Sequence, residues 1–361
     1  MFVFLHGYDT IREAFVKNAD VFSNRPSWLK GLKEAIKEGK GVGWQSGNDW
    51  KVLRKFVLQT LRDFGVGKTS LEQKILREVD AANDVLYATN GKPSDVRLLT
   101  SMMINNVIYG IVFAKRFDYE DDKLQEIIEN MGRIFRGGAS FTPEGMMPTF
   151  LLKLFNKEKC GDKVVTWADR GSLPYTEATL LKIQRMANIC ELVCDVLTKV
   201  NSGSLVMGIF AYFLLFIQFT LLITGFVSDL HGTPFSVPHT NEVDVTFEGY
   251  FIPRRTLIVA NLYSSNMDPR HWNRPEIFNP ERFIEDGKLK KNPALIPFSI
   301  GPRICLGESL AKMEMFLIFR NLLQRFTFCR EDDNVKHSFE TILDQNTRAP
   351  KPYKTRAVKR A

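Results

Sequence analysis

The stretch "PFSIGPRICLGESLAKMEMF", residues 297–316, places a single cysteine between an isoleucine and a leucine at the start of a predicted helix. Cys305 allows two interpretations. A free cysteine in an intracellular protein is usually a small buried apolar residue. A cysteine at a helix start can instead be a metal-bound thiolate, because the unpaired N–H groups and the helix dipole lower a thiol's pKa. The residues around Cys305 favour the second interpretation.

Small, aromatic and cationic residues surround this cysteine at short spacing. Gly301 and Gly307 lack side chains and let the backbone approach a large flat ligand closely. Phe298 is placed to shield the sulfur from water, and Arg303 suits an anionic group at the ligand's rim. The spacing of apolar residues then predicts a helix from Leu306 to Phe326.

Phe298, Gly301, Arg303, Cys305 and Gly307 together resemble the haem-ligand loop of the cytochrome P-450 family. The resemblance implies that Cys305 is the axial thiolate ligand of haem b, iron protoporphyrin IX. A thiolate ligand pushes electron density onto the iron and favours cleavage of an O–O bond. A cysteine buried in an ordinary core stays the alternative.

Other segments resemble the parts of the family that hold the haem propionates. "GNDWKVLRKFVLQTLRDFG", from Gly47, is similar to a helix that carries a tryptophan and an arginine four residues apart, and helical spacing puts Trp50 and Arg54 on one face. "FSNR" and "VPHT" resemble microsomal members, in which an arginine and a histidine reach the propionates. Arg25 and His239 therefore join Arg303 as candidates. The alternative is a core tryptophan beside ordinary surface residues.

One helix departs from the family pattern. "LPYTEATLLKIQRMANI", residues 173–189, is similar to the helix whose glutamate bridges its own arginine and the arginine of a Pro-Glu-Arg-Phe step, here residues 280–283. Lys182 stands at the glutamate's position, so Arg185 and Arg282 are expected to meet a third cation. Loss of one partner of a buried ion pair costs about 3–5 kcal/mol. The alternative places Lys182 on a solvated helix face.

A second departure concerns catalysis. The family's central helix carries an acidic residue next to a threonine, which deliver protons to iron-bound oxygen. In this chain only 25 residues, 148–172, separate the flanking landmarks "GRIFRGGASFTPEGMM" and "LPYTEA", and none match. The Asp9–Thr10 pair belongs to another element, so no catalytic acid or threonine is assigned. The absence predicts NADPH consumption with almost no hydroxylated product.

The overall pattern is mainly helical with a smaller β portion. Apolar residues recur at helical spacing in residues 9–18, 49–65, 71–90 and 123–135. Near residue 245 the pattern alternates, Glu248 and Gly249 can turn the chain, and a strand resumes from Tyr250. With 361 residues, the chain is long enough for a large core. We expect an incomplete cytochrome P-450-like fold.

The third departure is an apolar segment. Residues 205–227 carry no charged side chain and are long enough to cross a bilayer as a helix. If they crossed, Trp50 and Cys305 would lie on opposite sides of the membrane and could not share one haem. We therefore expect residues 190–232 to be an insertion in a single haem domain, residues 1–357, that lacks the family's amino-terminal anchor and central helix. The resemblance covers residues 1–150, 167–189 and 233–357.

Charge and cysteine content narrow the function further. The net charge of +8 is spread over interspersed acidic and basic residues, and only a short basic tail is present, so nucleic-acid binding is not expected. The odd count of five cysteines favours a reducing compartment. Cys190 and Cys194 lack partners of metal-site spacing.

The resemblance implies a microsomal monooxygenase at the cytoplasmic face of the endoplasmic reticulum membrane. Such an enzyme inserts one oxygen atom from O2 into a small lipophilic molecule, with electrons from an NADPH-dependent flavoprotein reductase. Two alternatives are an inactive haem-binding remnant and a membrane-inserted fragment that binds no haem.

Overall fold

The chain consists mainly of helices with a smaller share of strands, as predicted. The computed structural model describes residues 1–28, 41–126, 128, 164–187, 235–277, 279–332, 341–344, 347–350 and 353–360. The helices are α1 (Tyr8–Arg12), α2 (Ala19–Phe22), α3 (Gly47–Asp63), α4 (Thr69–Ala88), α5 (Val96–Val112), α6 (Pro174–Ala187), α7 (Leu262–Asn266) and α8 (Glu308–Arg325). A π-helical turn, Glu13–Lys17, lies between α1 and α2, and 3-10 turns span Trp167–Ser172 and Pro280–Phe283.

The strands are short; some pair with their neighbours in the chain as hairpins, and others pair over long sequence distances. They are β1 (Phe2–His6), β2 (Pro93–Ser94), β3 (His239–Thr240), β4 (Val245–Phe247), β5 (Tyr250–Ile252), β6 (Leu257–Asn261), β7 (Ile284–Glu285), β8 (Lys288–Leu289), β9 (Phe326–Arg330), β10 (Thr341–Asp344), β11 (Thr347–Pro350) and β12 (Thr355–Lys359). One sheet has the order β1-β6-β3, with β1 parallel to β6, and another has the order β2-β12-β9.

The helical core is built by α4, α5 and α8, with α4 packed against both α5 and α8. Helix α8 is buried on nearly all sides, with Leu310, Leu317 and Ile318 fully inaccessible to solvent. Burial of each such side chain contributes about 1.5–3 kcal/mol relative to exposure. Because the loop that carries Cys305 leads directly into α8, this packing positions the loop.

A second apolar cluster joins the amino-terminal elements to the β1-β6-β3 sheet. Phe15 and Phe22 are buried there together with Ile258 and Ala260 of β6. Asn24 bridges to Thr240 beyond the end of α2, which holds residues 22–25 beside β3. This cluster places two short segments, around Arg25 and His239, next to each other.

None of the helices in the described parts of the chain is long and apolar enough to span a bilayer. The predicted apolar helix at residues 205–227 lies outside the described residues, as do Cys190 and Cys194.

Candidate functional site

The loop before α8 curls around the Cys305 sulfur. The Cys305 N–H donates to the Phe298 carbonyl at 3.0 Å, and the Ile304 N–H donates to the Gly301 carbonyl at 3.0 Å. The Gly307 N–H donates to the Cys305 sulfur, and Gly307 is the N-cap of α8. The helix therefore begins at Glu308, two residues later than predicted, which leaves the sulfur just outside its first turn.

Gly301 also has a packing role that was not predicted. We expected its missing side chain to admit a flat ligand. Its φ angle is +81°, and a Cβ atom there would lie 2.0 Å from the Phe15 carbonyl oxygen. Gly301 thus allows the cysteine loop to pack against the π-helical turn, and Phe15 is a site residue that the sequence pattern did not reveal.

The prediction that the helix start lowers the pKa of Cys305 is wrong for the protein without a bound metal ion. Burial raises the pKa of this thiol to about 12, and the Glu308 carboxylate acts in the same direction. The Gly307 N–H and Arg54 oppose the rise but are outweighed. A bound metal ion deprotonates a coordinating thiol outright, so ligation and not the helix start must supply the thiolate.

Phe298 lies in the same apolar cluster as Cys305. Its side chain is buried, and the Lys312 ammonium group lies 5.7 Å from the centre of its ring. The expected shielding of the sulfur by Phe298 stays a prediction.

Trp50 stands between two arginines. The Arg303 guanidinium lies 3.7 Å from the centre of the indole ring, and the Arg54 guanidinium lies 5.8 Å from it. Arg54 also donates to the Ile304 carbonyl at 2.7 Å, next to Cys305. The predicted one-turn spacing of Trp50 and Arg54 on a helix face is therefore confirmed, and α3 brings both to the cysteine loop.

Arg25 and His239 lie in the same cluster as Trp50, Arg54 and Arg303. Arg25 donates from Nε to the Gly43 carbonyl at 2.8 Å and from Nη1 to the Val237 and Pro238 carbonyls at 2.9 and 2.8 Å. His239 places Nδ1 2.6 Å from the Phe22 carbonyl oxygen and stacks on Phe15 at 4.0 Å. Both side chains are buried, so neither is the surface residue of the alternative interpretation.

The cluster concentrates positive charge without a carboxylate. Burial lowers the pKa of Arg25, Arg54, Arg303 and His239, and for Arg25, Arg303 and His239 a neighbouring arginine lowers it further. Within the described part of the chain none of the four forms an ion pair with an acidic side chain. Buried cations without an anion are strongly destabilising, so the arrangement calls for an anionic ligand.

One buried hydrogen-bond donor also favours an anionic ligand. The Trp50 Nε1–H is buried without a hydrogen-bond partner, whereas buried polar groups are almost always paired. A carboxylate among Trp50, Arg54 and Arg303 would accept from this donor and neutralise the guanidinium charges. Haem carries two propionates, and the residues present fit it.

The departure from the family pattern at Lys182, which stands where the family has a glutamate, is present in the structure. Lys182 and Arg185 on α6 are both fully buried, so the solvated-face alternative is wrong. Burial lowers the pKa of Lys182 to about 6, and Arg185 and Arg282 lower it further while Glu276 raises it. The three basic side chains therefore meet as expected from their places in the sequence.

The absence of a catalytic acid and threonine stays a prediction. Residues 148–163, where the central helix would lie, are outside the described parts. Asp9 lies at the protein surface, 3.5 Å from Arg270 and 3.2 Å from His271. No group of three or more acidic, histidine or cysteine side chains in the described ranges could hold a metal ion.

Comparison with known proteins identifies the family. The family model described as "Cytochrome P450" matches residues 1–162 and 231–357, which leaves residues 163–230 unmatched. Cytochrome P450 2A1 of Rattus norvegicus is 31% identical, over 97% of this chain and 81% of its own length. Cytochrome P450 2J2 of Homo sapiens is 29% identical, over 94% of this chain and 78% of its own length. The match over most of the chain, together with the cysteine loop and its cation cluster, shows that the chain belongs to the cytochrome P450 family.

Proposed function

We propose that this protein is a haem-thiolate monooxygenase that acts on a small lipophilic organic molecule. Cys305 supplies the axial thiolate, while Phe298, Gly301 and Gly307 shape the loop that presents it. Trp50, Arg54, Arg303, Arg25 and His239 bind the propionates. The observation that carries the proposal is the orphaned Trp50 Nε1–H among buried arginines beside a cysteine loop.

Haem b bound at this site would supply the activation of O2. The chain's own residues would hold the haem and its thiolate ligand in place. Arg54 contacts the backbone next to Cys305 and also faces Trp50, so it links the propionate end of the site to the ligand end. Phe298 excludes water from the sulfur, which strengthens the electrostatic interactions around it.

The proposal includes partners and a location. Electrons come from an NADPH-dependent flavoprotein reductase, and the positive charge around the cysteine loop suits an acidic partner face. By resemblance to microsomal relatives, the protein acts at the cytoplasmic face of the endoplasmic reticulum membrane. Residues 1–357 form one haem domain, into which residues 190–232 are inserted.

The second candidate is an inactive haem-binding remnant, and one observation favours it. No acid–threonine pair lies in the 25 residues between the two landmarks of the sequence. Positioned acid catalysis contributes about 10²–10⁴ in rate, so a haem site without it reduces O2 but releases superoxide or peroxide.

A coupling measurement separates the two candidates. The purified chain, loaded with haem and given the reductase, is assayed with a panel of lipophilic substrates for NADPH consumed, peroxide formed and hydroxylated product. Product comparable to the NADPH consumed supports the monooxygenase. NADPH consumption that ends in peroxide supports the remnant. A folded protein that binds no haem contradicts both.

A further inference from the structure

The Phe15 ring lies flat on the His239 imidazole. The two ring centres are 4.0 Å apart, the ring planes differ by 13°, and both side chains are buried. The backbone of Phe15 also packs against Gly301 of the cysteine loop. One residue of the π-helical turn thus contacts a propionate candidate with its side chain and the cysteine loop with its main chain.

One hydrogen bond sets the tautomer of His239. Nδ1 lies 2.6 Å from the Phe22 carbonyl oxygen, and a carbonyl oxygen only accepts, so Nδ1 carries a hydrogen and donates it. In a neutral imidazole, Nε2 is then an acceptor without a hydrogen. A carboxylate also only accepts. His239 can therefore bind a propionate through Nε2 only when that nitrogen is protonated as well.

Two arginines act on this imidazole. Burial lowers the pKa of His239, Arg25 and Arg303 lower it further, and the Phe22 hydrogen bond opposes them. The imidazole of the protein alone is therefore uncharged at neutral pH. The carboxylates of a bound haem would offset the arginine charges, and the face of an aromatic ring attracts a cation, so both neighbours favour a protonated His239 in the complex.

The other titratable groups on the elements packed around His239 leave its protonation to the two arginines. Strand β6 places Ile258 opposite it. On the π-helical turn, Glu13 and Lys17 pair with each other at 2.6 Å, and on α2 Asp20 is exposed. The charge of the imidazole thus depends on the arginines and on the anion that joins them.

We propose that Phe15 is a positioning residue that holds the imidazole by its face, so that His239 binds a haem propionate as an imidazolium, with Nδ1–H on the Phe22 carbonyl and Nε2–H on the carboxylate. This role rests on the proposed haem site and adds a residue and a proton to it. Haem binding then takes up one proton from solvent at Nε2. A haem whose propionates are esterified takes up none, because an ester carries no charge to offset the arginines.

Absorbance titrations of the full-length chain with haem and with haem dimethyl ester test the proton. The ratio of the two affinities isolates the propionates, since the Cys305 thiol and the porphyrin ring are common to both complexes. In the wild type this ratio should favour haem and fall by up to about tenfold per pH unit between about pH 6.5 and 8.5, because only the haem complex gains the proton. In His239→Gln the ratio should be independent of pH.

Two results of these titrations have different meanings. A wild-type ratio that favours haem but is as flat as that of His239→Gln would overturn the proposed role and leave the haem site standing. Equal wild-type affinities for haem and its ester, or a folded protein that binds neither, would contradict the propionate site of the proposed function and this role with it.

Phe15→Leu and Phe22→Leu separate positioning from packing. Both phenylalanines are buried in the same apolar cluster, but the Phe22 ring lies edge-on to Phe247 at 5.2 Å, and its hydrogen bond with His239 uses the backbone carbonyl. Both variants should be less stable in urea. Only Phe15→Leu should lower the preference for haem over its ester, by roughly 2- to 10-fold, the contribution of an aromatic pair. In a His239→Gln background it should lower it no further.

NMR of the chain labelled with ¹⁵N-histidine reports the imidazole directly. The chain has five histidines, and the His239 signals are assigned by their loss in His239→Gln. We expect a hydrogen on Nδ1 alone in the wild-type protein, and on both nitrogens after addition of zinc protoporphyrin IX, a diamagnetic probe with both propionates. Phe15→Leu should mix the tautomers, whereas Phe22→Leu should not. An unprotonated Nε2 in the wild-type complex, or unchanged His239 signals in Phe15→Leu, would overturn the proposal.

Discussion

At the scale of single residues, the cluster around Trp50 shows how burial changes the electrostatics of ordinary side chains. Arg25 and His239 are uninformative in the sequence by themselves, since either could lie at the surface. In the fold, burial lowers the pKa of both; Arg303 and Arg54 lower that of Arg25 further, and Arg25 and Arg303 lower that of His239 further. An anion with two carboxylates resolves that repulsion.

The indole donor of Trp50 gives a direct test of this arrangement. Trp50→Phe keeps an aromatic ring against Arg303 and removes only the Nε1–H. Because a hydrogen bond to a charged group contributes about 1.5–3 kcal/mol, haem affinity should fall roughly 10- to 100-fold. Haem titration followed by absorbance measures the change. Trp272→Phe is the contrast, since the Trp272 Nε1–H donates to the Ser265 carbonyl, and this variant should lose stability with little change in haem affinity.

The buried Lys182 makes the free energy of unfolding depend on pH. Its pKa is about 6 in the folded protein and ordinarily 10.5, so between these values the unfolded chain binds more protons than the folded one. The free energy of unfolding should therefore rise as pH increases from about 6 towards 10. Urea unfolding measures this slope.

Lys182→Met removes the titrating group and keeps its apolar volume. The variant should show a flatter dependence than the wild type over the same pH range. Equal slopes for the two proteins would mean that Lys182 stays charged in the fold.

At the scale of secondary structure, the sequence predicted elements with clear periodicity and missed those without it. Helix α3 and the turn at Glu248 and Gly249 follow their patterns. Helix α5 was not predicted, because most of its residues are buried and its apolar side chains surround it without a single stripe. Strand β1 was also missed, since its partner β6 lies more than 250 residues away and no local signal reveals the pairing.

The residues of the candidate site likewise fall into those that a local pattern predicts and those that it misses. Cys305, Trp50 and Arg54 could be predicted, because their spacing within one loop or helix carries the signal. The packing of Phe15 on the loop could not, because it arises from the meeting of two distant segments.

The contact between the cysteine loop and the π-helical turn can be tested at Gly301. Gly301→Ala puts a Cβ atom into a left-handed backbone conformation and against the Phe15 carbonyl. The strain alone costs about 1–3 kcal/mol, and displacement of the loop adds to it. Gly287→Ala is the matched control, since its φ angle is +73° but nothing lies within 4 Å of the added Cβ. Chemical unfolding should show a clearly larger loss for Gly301→Ala, whereas equal losses would mean that the loop does not pack on Phe15.

At the scale of the whole molecule, the site joins segments from both ends of the chain. Arg303 donates to the Ser23 carbonyl at 2.8 Å and to the Gln45 carbonyl at 2.6 Å, across more than 250 residues. A single membrane crossing by residues 205–227 would separate these partners. The insertion at residues 190–232 stays a prediction, and a chain that lacks these residues should still bind haem.

The central claim is that Cys305 ligates haem through its thiolate. The most direct measurement is the absorbance spectrum of the haem-loaded, reduced protein under carbon monoxide, where a thiolate ligand shifts the Soret band to long wavelength. We predict this band in the wild type and in Cys329→Ser, which changes the other free cysteine of the described residues. We predict its loss in Cys305→Ser, with the circular dichroism of a folded protein retained. A folded wild-type protein that binds haem without this band, or a Cys305→Ser variant that keeps it, would contradict the assignment.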